Sequence, residues 1–130
     1  MKNIKKIVVI ILALSVIMST GQCFAFPVVP RYVPAEVNMT FWDNNYSEQI
    51  SSIHNDATFA IKLDLGGGTG TYEISIDFGD GHTLHESSFT GYTFITTYNY
   101  HTLGTKTIEA EVNSLNTVSD SKNIVVKAVE

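Results

Sequence analysis

The sequence has little cysteine, proline or positive charge, and each shortage excludes something. Its 130 residues hold one cysteine, Cys23, so no intramolecular disulfide framework can hold the chain together. All three prolines, Pro27, Pro30 and Pro34, lie within eight residues, and nothing after them is broken by a fixed φ. Eight Lys and Arg face thirteen Asp and Glu, and three of the eight (Lys2, Lys5 and Lys6) precede the first acidic residue, Glu36. From residue 26 onward five basic residues face thirteen acidic ones, a net charge of −8. Such a chain repels polyphosphate and anionic lipid, which argues against nucleic-acid binding and a peripheral membrane role. Beyond residue 25 there is neither a long apolar run nor helical periodicity. Aromatic and β-branched residues are plentiful, which excludes disorder, and the length suits one domain.

The first 25 residues have three parts. Lys2, Lys5 and Lys6 form a positive start, residues 7–18 are apolar except for Ser15, and the stretch closes on Cys23-Phe24-Ala25. This is the pattern of a signal peptide cleaved after Ala25. A membrane-spanning helix would need roughly 20 apolar residues, and this run is shorter. A lipoprotein signal would place an aliphatic residue three positions before its cysteine and a small one just before it; Thr20 and Gln22 fit poorly. Cys23 is therefore expected to leave with the leader. The predicted organisation is a signal peptide at 1–25, a proline-rich linker at 26–35 and a domain at 36–130.

Within the domain the dominant period is two. Residues 36–42 read as a strand with Val37, Met39 and Phe41 on one face, and 43–56 as a polar loop with room for one helical turn. In 58–65, Phe59, Ile61, Leu63 and Leu65 alternate with Thr58, Ala60, Lys62 and Asp64, the mark of a strand with one buried face. The glycine run at 66–70 reads as a flexible connection; no Gly-Lys-Ser/Thr follows it, so it is no phosphate cradle. Tyr72, Ile74, Ile76 and Phe78 face inward on the next strand, Gly79-Asp80-Gly81 turns the chain, and 82–86 makes a short return. Strands follow at 92–100, at 105–112 with Ile108, Ala110 and Val112 inward, and at 117–129 with Ile124, Val126 and Ala128 on one face. About seven short antiparallel strands in such a length predict an all-β, immunoglobulin-like β-sandwich.

Two blocks carry a resemblance. Tyr72-Glu73-Ile74-Ser75-Ile76-Asp77-Phe78-Gly79-Asp80-Gly81 resembles the Trp-Asp-Phe-Gly-Asp-Gly hallmark of PKD (polycystic kidney disease) domains. The stretch from Tyr98-Asn99-Tyr100-His101 to Val112 resembles that family's later segment, with Tyr98, Leu103 and Lys106 in place of the usual histidine, proline and tyrosine. Ile76 stands where the family usually has tryptophan. The resemblance implies a secreted, non-catalytic module that contacts an extracellular protein or polysaccharide. The alternative is a structural spacer or assembly subunit joined to its neighbours through strand edges.

The hairpin motif Asp77, Phe78, Gly79, Asp80 and Gly81 has a local physical reason. Both glycines can take positive φ, and the aspartates can accept backbone N–H groups. A calcium site at Asp77 and Asp80 is the rival reading, since the resemblance extends to secreted PKD-like domains that bind calcium, which takes six to eight oxygens. No other cofactor is expected. His82, His85 and Glu86 lack a zinc spacing, because residues three apart on a strand face opposite sides. No serine or threonine is placed by spacing beside a histidine and an acid, so no enzyme is predicted. Trp42 and Tyr46 are the candidate ligand contacts. If Met39 and Phe41 point inward, Trp42 lies on the opposite face or at the strand end near Tyr46, beside Asp43, Asn44 and Asn45, where rings could stack on a sugar or anchor a protein. The competing reading has Trp42 closing the bottom of the core.

Overall fold

The computed structural model describes residues 33–130. The leader, Cys23, its cleavage point and the linker up to residue 32 lie outside the described residues. Among the described residues there are eight strands and no helix: β1 (Glu36–Asp43), β2 (Ser52–His54), β3 (Thr58–Gly66), β4 (Thr71–Asp77), β5 (Thr83–Thr90), β6 (Thr93–Asn99), β7 (Gly104–Asn113) and β8 (Thr117–Lys127). They form two sheets, in the orders β1-β3-β6 and β2-β8-β7-β4-β5. All pairings are antiparallel except that of β2 with β8. The fold is an all-β sandwich.

The inward faces are those set by the alternation. Met39, Phe41, Phe59, Ile61 and Leu63 from the first sheet meet Tyr72, Ile74, Ile76, Ile108, Ala110, Val112, Ile124 and Val126 from the second, all buried. Burying an aliphatic or aromatic side chain of this size stabilises by roughly 1.5–3 kcal/mol, and no disulfide is needed to add to it. An aromatic file crosses the core: Phe41 edge-on to Phe59 and Phe59 stacked on Tyr100, each at 5.9 Å. Tyr98 then meets Tyr100 edge-on at 5.0 Å and stacks on Phe78 at 3.8 Å.

Several expectations are corrected. The segment 43–56 holds no helical turn; it folds back on β1 through a bridge between Trp42 and Gln49 and then forms β2, with Ile53 buried. The return strand after the hairpin is longer than expected and has a bulge opposite Glu73. Ala128 is exposed, because β8 ends at Lys127. Ala60 is outward by alternation yet fully buried; its register neighbours Trp42 and Thr97 are larger and shield it. The glycine run is a built clasp rather than a loose connection. Gly68 N–H donates to Val33 O (2.9 Å), Thr69 N–H to Ser114 Oγ (3.0 Å), and Tyr72 OH to Gly67 O (2.7 Å). A Cβ on Gly67, which has φ 61°, would sit 1.9 Å from Pro34 O. The end of the predicted linker is thereby tied into the domain, and Ala35 is buried, its N–H on Asn116 Oδ1 (2.7 Å).

The outer edge of β1 is sealed in the same manner. Met39 N–H donates to Asp120 Oδ2 (2.7 Å), Lys122 Nζ donates to Met39 O, Ile50 N–H donates to Phe41 O (2.9 Å) and Asp43 N–H to Glu48 O (3.0 Å). Side chains of β8 and the returning loop thus do for β1 what a neighbouring strand would do.

Candidate functional site

The predicted ligand residues come together. Since Met39 and Phe41 face the core, alternation turns Thr40 and Trp42 to the outer face of the three-stranded sheet. The indole Nε1–H donates to Thr40 Oγ1 at 3.0 Å, which fixes the ring on that face. Trp42 is half-buried and does not belong to the core cluster, so the reading that placed it beneath the core is overturned. With Tyr46, Lys62 and Ile95 it lines a depression of about 220 Å³; Lys62 pairs with Thr40 on one side and Ile95 on the other. Sequence reasoning missed Lys62 and Ile95, although both are outward positions of strands it had located.

Tyr46 is held at the tip of a tight loop. Asp43 Oδ1 accepts Ser47 N–H (2.6 Å) and Glu48 N–H (3.0 Å), and Oδ2 accepts the Ser47 hydroxyl (2.5 Å). These bonds, the Ser47 hydroxyl first and the Glu48 N–H second, hold the Asp43 carboxyl below its ordinary value. Tyr46 N–H donates to Asp43 O (3.0 Å), and Tyr46 itself has φ 56°. A tyrosine in the left-handed region costs roughly 1–2 kcal/mol, and such strain gathers where a side chain must be displayed. Tyr46 is 48% exposed.

The hairpin motif is equally ordered. Gly79 N–H donates to Asp77 Oδ1 (2.8 Å) and His82 N–H to Asp80 Oδ1 (3.1 Å), while Phe78 N–H closes the turn on His82 O (3.0 Å). Gly79 and Gly81 have φ of 75° and 93°. The two blocks of the family resemblance meet here: Tyr98 OH donates to Asp80 Oδ2 (2.7 Å) and Tyr100 OH to Phe78 O (2.6 Å). Burial by itself would raise the Asp80 carboxyl, but the bonds from Tyr98 and His82 outweigh it and the net shift is downward. Burial first, then Asp80, pushes Tyr98 up to about 12; Tyr100 is also raised, by burial and then by the charge of Asp80. Both Asp80 oxygens and one of Asp77 therefore already accept hydrogen bonds. Among the described residues no group of three or more His, Cys, Asp or Glu could hold a metal ion. Lys106, in the place of the family's tyrosine, sends its ammonium to Thr102 Oγ1 (2.7 Å), 5.8 Å from the Tyr100 ring centre.

One array was invisible to spacing. On the outer face of the larger sheet, Ser75 Oγ lies 3.0 Å from His85 Nδ1, and His85 Nε2 lies 3.4 Å from Glu73 Oε1. Register explains it, since Ser75 faces His85 across β4 and β5. Ser75 and His85 line a depression of about 440 Å³ together with Asp77, Glu109 and Glu111. A hydrolytic serine needs free N–H donors for a developing oxyanion. Here Ser75 sits in a strand paired on both sides, and three carboxylates share the hollow, which opposes developing negative charge. His82, by contrast, belongs to the hairpin turn on Asp80, away from His85. His101 pairs with Asp56 at 2.6 Å.

No protein-family model matches the chain, and comparison with curated proteins gives no match. Solved structures do match. The PKD domain of an M14-like peptidase from a Thermoplasmatales archaeon aligns over 69% of this chain and 91% of its own, at 14% identity and a TM-score of 0.55. The soluble domain of PmoD from Methylocystis sp. covers 70% of this chain and 90% of its own, at 12% identity and a TM-score of 0.49. A superoxide reductase (neelaredoxin) from Ignicoccus hospitalis covers 72% and 79%, at 9% identity and a TM-score of 0.46. At such identity the first of these shows the fold alone: the chain is a β-domain with a PKD-like architecture.

Proposed function

We propose that this chain is an exported, non-catalytic PKD-like module that holds a polysaccharide outside the cell on the outer face of its three-stranded sheet. The observation that carries the reading is the Trp42–Tyr46 depression. It offers two rings, one fixed by an internal hydrogen bond and the other displayed by a strained loop, and its lining includes Lys62, whose ammonium pairs with Asp64 at 3.2 Å. Sugars present apolar C–H faces to rings and hydroxyls to charged and amide groups, and Asn44 and Asn45 supply amides beside Tyr46. Export is supported by the three-part leader.

The test is retention of the chain from residue 26 on glucan and N-acetylhexosamine polymer columns, beside Trp42→Ala and Tyr46→Ala. The reading expects retention by one matrix, lost by about tenfold or more in both variants, with melting transitions preserved. Retention unchanged in both variants, or a purified partner protein bound while every glycan fails, would overturn it.

A further inference from the structure

Among the described residues, three of the four strand edges are protected. That of β1 is sealed by Asp120, Lys122 and the returning loop. β2 is only three residues long. β5 carries Glu86 and a bulge. The open edge of β6 has none of these devices. It is seven residues long, and its ladder with β3 runs without a bulge. Apart from His101, residues 91–104 contain no ionisable side chain other than tyrosine. Among the strands longer than three residues, β6 alone lacks Asp, Glu, Lys and Arg.

The backbone along that edge can be assigned. Leu65 N–H donates to Tyr92 O at 2.8 Å, so Tyr92 points its polar groups toward β3. By antiparallel alternation Phe94, Thr96 and Tyr98 do the same, while Thr93, Ile95, Thr97 and Asn99 direct N–H and C=O outward. Among the described residues these outward groups have no hydrogen-bond partner. Tyr92, 78% exposed, and Ile95, 45% exposed, add apolar surface beside them.

We infer that β6 pairs antiparallel with β6 of a second copy of this chain, about a two-fold axis at Thr96. The occupant follows from charge: residues 26–130 carry a net −8, and an uncharged strand is the edge along which copies align in any register without like charges facing each other. A second copy presents the same outward residues in reverse, so Thr93 meets the partner's Asn99 and Ile95 meets the partner's Thr97, and every outward donor finds an acceptor. Phe94 then faces the partner's Tyr98 in a non-hydrogen-bonded pair, where side chains come closest and aromatic pairs are favourable. The two small sheets merge into one of six strands, with both Trp42 depressions on the same side. Five strand spacings separate the two β1 strands, about 24 Å, a span that lets one polymer engage both. The dimer does not depend on sugar binding, and its tests do not use a glycan.

The chain from residue 26 contains every described residue and the core they form and lacks Cys23, so it serves for the experiment. Sedimentation equilibrium should show a concentration-dependent dimer, and Thr97→Lys, at an exposed position, should weaken it by about tenfold or more. Under mild oxidation Thr96→Cys should cross-link to itself, because only the axial residue faces its own copy, while Thr93→Cys should not. A monomer at every concentration up to about 100 µM, a dimer insensitive to Thr97→Lys, or cross-linking of Thr93→Cys in preference to Thr96→Cys would each overturn the inference.

Discussion

Alanine at Gly79 should cost more than alanine at Gly81, and the difference can be worked from the turn they share. Both glycines have positive φ, 75° and 93°, so either substitution costs roughly 1–2 kcal/mol in backbone conformation. A Cβ on Gly81 meets nothing within 4 Å, whereas one on Gly79 would lie 2.3 Å from the carbonyl oxygen of Thr107. That oxygen belongs to β7, where Thr107 is in register with Asn123 of β8, so it cannot retreat without disturbing that ladder. Forcing atoms into a packed site adds about 1–3 kcal/mol. Gly81→Ala is therefore expected to lose about 1–2 kcal/mol and Gly79→Ala about 2–5, out of the roughly 5–15 kcal/mol that holds a domain folded. Urea unfolding followed by tyrosine and tryptophan fluorescence would measure both, provided the slopes agree. Equal losses, or a smaller loss at Gly79, would mean that the hairpin is not pressed against β7 and that its glycines serve the turn alone.

Other outcomes follow from the same contacts. Tyrosine is charged only when deprotonated, and Tyr98 is raised from near 10 to about 12 with Tyr100 shifted the same way. Stability should be full below pH 10 and fall as pH rises through 12, a loss that alkaline denaturation curves would show and Tyr98→Phe would reduce. Asp120→Ala leaves the Met39 N–H without its acceptor and should cost about 1–3 kcal/mol; an unchanged urea midpoint would contradict the sealed edge. With Asp80 committed to Tyr98 and His82, melting curves in chelator and in millimolar calcium should coincide, and a rise of several degrees with calcium would restore the cation reading of Asp77 and Asp80.

Much of the core was legible because burial on one face forces a period of two. Phe59 to Leu65 and Tyr72 to Phe78 announce their inward sides, and the same parity puts Trp42 outside once Met39 and Phe41 are inside. What escaped depends on partners distant in sequence. β2 is three residues paired with β8, and three residues carry no period. The burial of Ala60 needs Trp42 and Thr97, from two other strands. Gly67 and Gly68 look like slack until Pro34 and Ser114 are known to press on them. The Ser75–His85–Glu73 contact comes from register across a hairpin, and Lys62 and Ile95 join Trp42 only through β3. Tyr46 gave no sign of its left-handed backbone, since that conformation is imposed by Asp43 bonding to Ser47 and Glu48.

The most direct measurement of the central claim is a titration of the folded chain with soluble glucan and N-acetylhexosamine oligosaccharides, followed by nuclear magnetic resonance. Saturable shifts confined to the Trp42 indole, Tyr46, Lys62, Ile95 and the loop after Asp43 are the result this account predicts. Shifts centred on the Ser75–His85 hollow or on the hairpin at Asp80, or no shifts with any sugar, would contradict it.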